Sequence, residues 1–285
     1  MRKVRIEVAK SIGFCSGVTR AVKIAEETAA RYGSVQMLGD IVHNKIVVEK
    51  LKEQHVEVVD DPQKLDRSKP LLLRAHGTIL EVENQLRQQG YFLIDATCPL
   101  VKEIHREAIK LENEGRRVII IGDHGHDEVL GIESRLKNPV VIYTADEAEK
   151  LSFEKQYGVV VQSTQSIQDV GKILEVIAQK CDDLHFVNTI CGPTRMRQKQ
   201  VKELALNNQL VLIVGSSSSA NTLRLLRICK DINFNTIQIE TEKELQKQWF
   251  ETVNSVGISG GASTPEYVVD AVKKSVQKIF ESLLN

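Results

Sequence analysis

The chain has 285 residues, 42% of them hydrophobic, and its 38 basic side chains balance 38 acidic ones. Because the charges balance and no polybasic tail is present, we expect neither nucleic acid nor a membrane as a partner, and a small molecule is the expected ligand. No apolar stretch approaches the roughly 20 residues that span a bilayer, so a cytoplasmic location is expected. An odd number of widely spaced cysteines argues against a secreted disulfide framework.

Along the chain, apolar runs alternate with stretches of helical spacing. Continuous apolar runs rich in β-branched residues at 118–121, 159–161 and 210–214 predict strands buried on both faces, and apolar residues three and four apart predict helices from Ala21 and from Pro265. Nine apolar runs end in short polar segments, here called tips, at residues 13–17, 39–44, 74–78, 95–99, 122–128, 162–166, 189–193, 215–222 and 259–265. Alternating strands and helices form mainly parallel sheets, so all nine tips are expected at the carboxyl ends of strands, where α/β sheets bind ligands.

Three of the tips carry a cysteine. Cys15, Cys98 and Cys191 lie at near-equal thirds of the chain, and each follows an apolar run and precedes a stretch of helical spacing. Self-similarity at a fixed period indicates a repeated structural unit. We therefore predict the α/β class, with three similar α/β domains built on mainly parallel sheets. The predicted domains are 15–97, 98–190 and 191–285, the last joined by an N-terminal strand within 1–14.

The repeated cysteines favour a metal centre. A fold that repeats three times could bring the three thiolates together, and converging thiolates in a reducing cell indicate a soft metal or an iron-sulfur cluster. A disulfide would leave one thiol unpaired, and a structural zinc prefers four ligands with close C-x-x-C pairs, which this sequence lacks. A single buried cysteine is commonly a small core residue, and each of these three taken alone would be interpreted that way, but their equivalent placement favours ligands. We expect Cys181 and Cys229 to have no part in the centre.

The histidines of the tips indicate an anion pocket. His43, His76 and His126 occupy tips of the first and middle thirds, where imidazoles can donate to phosphate oxygens. A lone histidine at a strand end is commonly a structural hydrogen-bonding residue, but three at matching positions favour a ligand site. Further hydroxyl and amide donors lie in other tips at Ser163, Thr164, Ser219, Asn221 and Ser263. Serine-rich loops also cap helices, and we expect both roles here.

Glu128 is the candidate acid, since it is the only glutamate within a tip. A carboxyl group beside a bound anion has a raised pKa and can carry a proton at neutral pH. The alternative is a solvated glutamate in the first turn of a helix. A rival hypothesis treats His124 and His126 as a metal-binding pair, but the sequence offers no evident bridging carboxylate or third histidine at suitable spacing, so it ranks below the cluster.

Eight segments in a fixed order resemble one known family. They are GFCSGVTRAV, GDIVHN, RAHGT, DATCPLV, GHDEVLG, NTICGPTRMRQ, IVGSSSSANTLRL and GASTPE. In these the chain is similar to the LytB-type 4-hydroxy-3-methylbut-2-enyl diphosphate reductases of the non-mevalonate isoprenoid pathway, over essentially its whole length. The resemblance implies three α/β domains around a pseudo-threefold axis, with one 4Fe-4S cluster at the centre that has three cysteine ligands and one open iron. The implied ligands are Cys15, Cys98 and Cys191.

The resemblance also implies roles for the other tip residues. Glu128 would relay protons, and the diphosphate would be held by His43, His76, His126, Ser219, Asn221 and Ser263, with Ser163 and Thr164 as further substrate contacts. The implied reaction is a two-electron reductive removal of an allylic hydroxyl, which gives isopentenyl and dimethylallyl diphosphates. A ferredoxin or flavodoxin would supply the electrons.

Some positions depart from the family pattern. Ser163 stands where threonine is usual, Ala220 where a second serine is common, and the segment 127–132 differs from the usual Pro-Glu-Val-Glu-Gly-Thr. The loss of one hydroxyl at Ala220 removes a diphosphate contact or leaves it to the backbone. These departures keep a second hypothesis open, in which the chain is an iron-sulfur redox-responsive binding protein of the same fold without this catalysis.

Overall fold

A computed structural model describes residues 4–284, so the first three residues of the predicted N-terminal strand 1–14 and the last residue of the third predicted domain lie outside it. Within the described residues, twelve strands form three sheets of four strands each, and every pairing is parallel. The strands are β1 (Arg5–Val8), β2 (Val35–Leu38), β3 (Val56–Val59), β4 (Leu71–Leu73), β5 (Leu93–Asp95), β6 (Arg117–Ile121), β7 (Val140–Ile142), β8 (Glu154–Val161), β9 (Cys181–Phe186), β10 (Leu210–Val214), β11 (Thr236–Ile239) and β12 (Ser255–Gly260).

Helices connect the strands, as parallel pairing requires. They are α1 (Ser16–Tyr32), α2 (Lys45–Glu53), α3 (Leu80–Gln88), α4 (Pro99–Asn113), α5 (Asp127–Glu133), α6 (Ala145–Glu149), α7 (Ile167–Ile177), α8 (Gly192–Asn207), α9 (Ala220–Lys230) and α10 (Glu266–Leu284), with short 3-10 turns at Pro62–Lys64, Ala178–Lys180, Glu242–Glu244 and Lys247–Phe250. The first helix begins at Ser16, five residues before the predicted start. Among the helices described, none combines the length and apolarity needed to cross a membrane.

The three sheets share one strand order. Reading across each sheet, the orders are β3-β2-β4-β5, β7-β6-β8-β9 and β11-β10-β12-β1. The edge strand at the end of each order is the strand that precedes a cysteine, because β5 leads to Cys98, β9 to Cys191 and β1 to Cys15. In the last sheet this strand comes from the other end of the sequence, with Val8 paired to Ile258. The α/β class and the threefold repetition of parallel sheets are therefore confirmed.

Both faces of the inner strands are buried, as the continuous apolar runs predicted. In β6, Ile119 and Ile121 enter a core cluster shared with α7, while Val118 and Ile120 enter a second cluster shared with α4. This alternation follows the two-residue period of a strand. Each such buried side chain contributes about 2 kcal/mol from transfer out of water. These cores hold the sheets rigid, so the strand ends present the tips in fixed positions.

Gly158 in the middle of β8 shows how closely α4 packs on its sheet. A Cβ atom on Gly158 would lie 2.9 Å from Cβ of Leu111, which is tighter than real side chains allow. Leu111 itself is fully buried. The absence of a side chain at Gly158 therefore lets α4, the helix that follows Cys98, settle directly on the second sheet.

The described residues divide into two compact units. The terminal unit comprises residues 4–18, 43–47 and 192–284 and contains the sheet of β1, β10, β11 and β12, whereas the middle unit comprises residues 19–42 and 48–191 and contains the other two sheets. The predicted division into three domains is finer than this and stays a prediction.

All nine tips follow a strand, as predicted. Eight begin within three residues of a strand end or overlap it, for example 122–128 directly after β6 and 215–222 directly after β10. The tip that carries Cys15 begins five residues after β1 ends. Because the strands of each sheet are parallel, the tips that follow them lie at the same end of that sheet. The candidate site residues are therefore found at these carboxyl ends of the strands.

Candidate active site

Each of the three cysteines lies immediately before a helix. Cys15 precedes α1, Cys98 caps α4 and Cys191 precedes α8. None of the five cysteines, all of which lie within the described residues, forms a disulfide, and these three are half-buried, so none is sealed in a core. The backbone N–H groups of a helix amino terminus favour an anionic ligand, which suits a thiolate. The three sites are therefore locally equivalent, and the thiols have the chemistry of iron-sulfur ligands.

In the terminal unit, the loop of Cys15 is held by backbone contacts. The N–H of Cys15 donates to the carbonyl of Ala262 at 3.0 Å, and its Sγ accepts from the N–H of Val18 at 3.5 Å. Two residues before the cysteine, Gly13 has a φ of +78°, a left-handed conformation that glycine adopts without strain. The buried side chain of Arg197 donates to the carbonyl of Gly13 at 2.7 Å. These contacts hold the loop of Cys15 against the tip 259–265, which also carries Ser263.

In the middle unit, the other two cysteines are tied to two different tips. The N–H of Cys98 donates to the carbonyl of Ala75 at 3.0 Å, so Cys98 lies against the tip of His76. The N–H of Cys191 donates to the carbonyl of Ser163 at 3.1 Å, so Cys191 lies against the tip of Ser163 and Thr164. Both contacts join residues far apart in sequence, and both connect a candidate metal ligand to a candidate substrate contact.

Glu128 is buried, with 2% of its surface exposed, and Ser163 binds both of its carboxylate oxygens. The N–H of Ser163 donates to Oε1 at 2.6 Å and the hydroxyl of Ser163 donates to Oε2 at 2.8 Å. Burial raises the pKa of Glu128 to about 7, against the lowering effect of these hydrogen bonds and with a smaller raising effect from Asp123. The group therefore changes protonation near neutrality, as an acid catalyst requires. The alternative of a solvated first-turn glutamate is wrong, because Glu128 lies in the first turn of α5 but faces the interior.

His126 and His76 lie side by side. Their ring centroids are 5.7 Å apart with the ring planes at 87°, and Nδ1 of His126 accepts the N–H of Glu128 at 3.1 Å as the cap of α5. The imidazole of His126 is thus oriented by the helix that carries the acid. His124 points elsewhere, with Nε2 2.9 Å from the carboxylate of Glu147.

The remaining candidate donors lie in the terminal unit. Ser219 caps α9 by accepting the N–H of Thr222, and Asn221 lies in the first turn of that helix. The neighbouring strand β12 leads to Ser263, whose carbonyl accepts a hydrogen bond from Asn44 at 2.9 Å. Asn44 also caps α2 through the N–H of Ile46, directly after His43. Ser219, Asn221 and Ser263 are each more than nine-tenths buried.

Several of these buried groups suit an anionic ligand. Among the residues described, both polar atoms of the Asn221 amide and the hydroxyls of Ser263 and Thr164 have no hydrogen-bond partner. An unsatisfied buried polar group costs about 1–3 kcal/mol, so native proteins seldom keep several without a purpose. A diphosphate, with its many acceptor oxygens, would satisfy donors of this kind.

Several residues in the tips or packed behind them were not identified from the sequence as site residues. Asn44 bridges two tips, Arg74 pairs with Asp127 through two hydrogen bonds, and His105 is buried behind Gly77. Burial lowers the pKa of His105 to about 4, so this imidazole is neutral at pH 7. Asn44 and Arg74 lie inside the quoted tip segments, but their roles depend on partners distant in sequence. His105 falls at a buried position of α4 and gave no polar signal.

Comparison with known proteins identifies the family of the chain. The profile of a family described as LytB protein matches residues 6–277. The 4-hydroxy-3-methylbut-2-enyl diphosphate reductase of Aquifex aeolicus is 38% identical over 286 residues, covering 99% of each chain. That of Syntrophotalea carbinolica is 37% identical over 275 residues, covering 96% of this chain and 98% of the relative.

Solved structures give the same result. The chain is similar to the E-1-hydroxy-2-methyl-but-2-enyl-4-diphosphate reductase of Plasmodium falciparum, with a TM-score of 0.91 at 27% identity over 99% of this chain and 89% of that one. A structure titled as the (E)-4-hydroxy-3-methyl-but-2-enyl diphosphate reductase, the terminal enzyme of the non-mevalonate pathway, matches with a TM-score of 0.70 at 38% identity over 96% of this chain and 99% of that one. Since the family profile and these relatives span nearly the whole sequence, the chain belongs to the LytB family.

Proposed function

We propose that the chain is a 4-hydroxy-3-methylbut-2-enyl diphosphate reductase. In the proposed reaction the allylic carbon-oxygen bond breaks, two electrons and two protons enter, and water leaves with isopentenyl or dimethylallyl diphosphate as product. The observation that carries the proposal is the link from acid to metal ligand: Ser163 binds the carboxylate of Glu128 through its N–H and hydroxyl, and binds Cys191 through its carbonyl. The proposed proton source and a candidate cluster ligand thus both form hydrogen bonds with Ser163.

The proposed cofactor is one 4Fe-4S cluster held by Cys15, Cys98 and Cys191, with one open iron. When bound, such a cluster supplies electrons and a Lewis acid for the departing oxygen. The support from this chain is that the three thiols are in no disulfide and partly exposed, and that each precedes a helix. Cys181 and Cys229 do not precede a helix, since Cys181 opens β9 and Cys229 is buried within α9.

The proposed diphosphate contacts come from both units. Asn221, Ser219 and Ser263 from the terminal unit supply amide and hydroxyl donors, and His43 from the same unit supplies an imidazole. In the middle unit, His76 and His126 supply imidazoles and Thr164 supplies a hydroxyl. The unsatisfied donors of Asn221, Ser263 and Thr164 support this assignment. Hydrogen bonds to a diphosphate would remove the desolvation penalty of these buried groups. Much of the binding energy would then come from the diphosphate, which is the end of the substrate that does not react.

Glu128 is proposed to protonate the leaving oxygen. With a pKa of about 7, it holds a proton in a large fraction of molecules at neutral pH and still gives it up readily. When Oε2 carries the proton it can donate to Ser163, which frees the serine hydroxyl to donate to the substrate. The same hydroxyl therefore serves either the acid or the substrate, and this explains how Ser163 can hold both assignments.

Further parts of the proposal rest on the family resemblance. A ferredoxin or flavodoxin is the proposed electron donor, the cytoplasm is the proposed location, and the proposed domains are those predicted from the cysteine repeat. The alternative of an iron-sulfur binding protein without catalysis is less well supported, because the named relatives are reductases and Glu128 keeps a buried, proton-binding environment despite the altered segment after it.

Anaerobic turnover tests the proposal. The protein is reconstituted with iron and sulfide, reduced with dithionite and a viologen mediator, and given 4-hydroxy-3-methylbut-2-enyl diphosphate. We expect oxidation of the mediator and formation of the two five-carbon diphosphates. A fully loaded protein that forms no product would reject the reductase and leave the binding protein as the better hypothesis.

A further inference from the structure

We propose that Arg74 and Asp127 act as positioning residues, forming an ion pair that holds the histidine-bearing tips of the middle unit in place for the diphosphate. This role deepens the proposed function and rests on it. Neither residue was singled out from the sequence as a site residue, and Asp127 lies between two that were, His126 and Glu128.

The pair has the geometry of a fixed contact. Nη1 of Arg74 donates to Oδ2 of Asp127 at 2.8 Å, and Nη2 donates to Oδ1 at 3.0 Å. The two side chains are only 22% and 23% exposed. A two-point contact between a planar guanidinium and a carboxylate fixes orientation as well as distance, and partial burial limits its screening by water. Flexible surface ion pairs have neither property.

Arg74 also contacts a third tip. Gly39 opens the tip 39–44 with a φ of +69°, and a Cβ atom placed on it would lie 3.0 Å from Nη1 of Arg74. The guanidinium therefore lies close to the glycine while it binds Asp127. One side chain joins three tips, namely its own at 74–78, the start of 39–44, and the end of 122–128.

The residues fixed by this contact are those proposed to bind substrate. The carbonyl of Arg74 accepts the N–H of Gly77 at 3.1 Å, which closes the turn that presents His76. A ring nitrogen of His76 and a carboxylate oxygen of Asp127 lie within 4.8 Å of each other. On the other side, Asp127 is the first residue of α5, so the pair also fixes the helix start where His126 accepts the N–H of Glu128.

A competing interpretation is that Arg74 binds phosphate directly. In the structure, both of its terminal nitrogens are occupied by Asp127, and this favours positioning over direct binding. The two interpretations predict opposite effects for Asp127→Asn. If Arg74 were a phosphate ligand restrained by Asp127, neutralising the aspartate would release the cation and tighten diphosphate binding. If the pair positions the tips, the same change loosens them and weakens binding.

The test compares Asp127→Asn, Arg74→Met and the double variant, all reconstituted anaerobically. Two quantities are measured: KM and kcat for the allylic diphosphate, and the affinity for inorganic pyrophosphate by calorimetry. For each single variant we expect KM and the pyrophosphate Kd to rise about tenfold, with a smaller effect on kcat, because the loss of one fixed contact weakens the positioning of the diphosphate-binding tips without removing a reacting group. The double variant should be no worse than either single variant, because both remove the same contact.

A matched ion pair provides the control. Arg117 and Glu154 lie 2.7 Å apart with side chains 32% and 37% exposed, at the first residues of β6 and β8 and so at the strand ends opposite the tips. Glu154→Gln should leave KM and the pyrophosphate affinity within about twofold of wild type. Asp127→Pro separates the pair from the helix start, because proline suits the first position of a helix but cannot bind Arg74. We expect it to weaken binding as Asp127→Asn does.

Three results would overturn the positioning role. They are tighter pyrophosphate binding in Asp127→Asn, wild-type binding in Asp127→Pro, and single-variant effects that multiply in the double variant. The calorimetric titration does not require turnover. A wild-type protein that fails to reduce the substrate therefore rejects the proposed function, while the pyrophosphate affinities still decide the role of Arg74 and Asp127.

Discussion

Glu128 in the middle unit and Asn221 in the terminal unit are almost equally buried, yet their hydrogen bonding is opposite. Both oxygens of Glu128 accept hydrogen bonds from Ser163, whereas the amide of Asn221 has no partner among the residues that the structure describes. The same contrast holds for the hydroxyl of Ser263, also in the terminal unit. The carboxylate of the acid is satisfied within the protein, whereas the polar atoms of Asn221 and Ser263, like the hydroxyl of Thr164 in the middle unit, are left available to a ligand.

This difference matches two kinds of task. A proton donor must keep its position and its pKa through each turnover, so fixed hydrogen bonds serve it. A ligand contact gains more when the ligand supplies the only good partner, because binding then removes a desolvation penalty already present in the free protein. The predictions below test whether this contrast is real, beginning with the largest expected effect.

Replacing the acid should have the largest effect. Glu128→Gln keeps the shape of the side chain but removes the proton, and general acid catalysis contributes about 100-fold or more. We therefore expect kcat to fall by at least about 100-fold with iron content and pyrophosphate affinity unchanged, measured by anaerobic kinetics and calorimetry. An unchanged kcat would remove Glu128 from its role.

Ser163→Ala is the matched variant on the other side of this contact. It keeps the carboxyl group but removes one hydrogen bond that lowers the pKa of Glu128, so the pKa should rise further. The high-pH decline of kcat, which reports loss of the acid's proton, should then move to higher pH. A shift to lower pH would mean that Ser163 stabilises the protonated form instead.

The pH dependence of stability should show the buried carboxyl directly. The pKa of Glu128 is about 7 in the fold against an ordinary value of 4.5, so the folded state holds the extra proton between these values. Stability from this group is complete below about pH 4.5 and is lost as pH rises to about 7. The loss is on the order of 3 kcal/mol, since each pKa unit corresponds to about 1.4 kcal/mol.

Denaturant unfolding of the reduced apoprotein measures this loss. The free energy of unfolding of the wild type should fall relative to Glu128→Gln between pH 4.5 and 7, the pKa limits given by the structure. His105 acts in the opposite sense, because its pKa is lowered to about 4 and its contribution grows as pH rises toward 6.5. Since both proteins keep His105, the difference between them isolates Glu128. Parallel pH profiles would contradict the raised pKa.

A pair of asparagine variants should sharpen the contrast within the terminal unit. Asn221→Ala removes buried polar atoms that have no partner in the described structure, so the free energy of unfolding should not fall, while KM should rise about tenfold. Asn44→Ala removes a helix cap and a contact to the carbonyl of Ser263, and should cost about 1 kcal/mol of stability. Destabilisation by Asn221→Ala, measured in the apoprotein by urea, would show that its amide has a structural partner.

The sequence predicted the fold well because its signals are local. Continuous apolar runs such as 210–214 identify strands buried on both faces. A cysteine follows the same edge strand in all three sheets, and this recurrence reveals the repeat. The helix after Cys15 was predicted to begin at Ala21 because Ser16, Gly17 and Thr19 lack apolar periodicity, yet the backbone turns helical directly after the cysteine. Propensity at those positions is weak, and position in the fold decides the start.

The site was predictable in its residue types but not in its connections. The tips gave Glu128 and Ser163 as separate candidates, and only the structure shows that they bind each other across 35 residues of sequence. In the same way, Arg74 and Asp127 are 53 residues apart, and nothing in either local pattern indicates the pairing. Hydrogen bonds between tips depend on how strands align within one sheet, as for Glu128 and Ser163, or on how two sheets of the middle unit meet, as for Arg74 and Asp127, and that information is not present in any single segment.

Counting iron and sulfide across cysteine variants is the sharpest test of the three proposed cluster ligands. The proposed ligand set predicts about four iron and four sulfide ions per chain in anaerobically reconstituted wild type, Cys181→Ser and Cys229→Ser. It predicts a large loss of both in Cys15→Ser, Cys98→Ser and Cys191→Ser. Full iron and sulfide content in any of these last three variants, or a loss in Cys181→Ser that matches theirs, would contradict the proposal that Cys15, Cys98 and Cys191 alone hold the cluster.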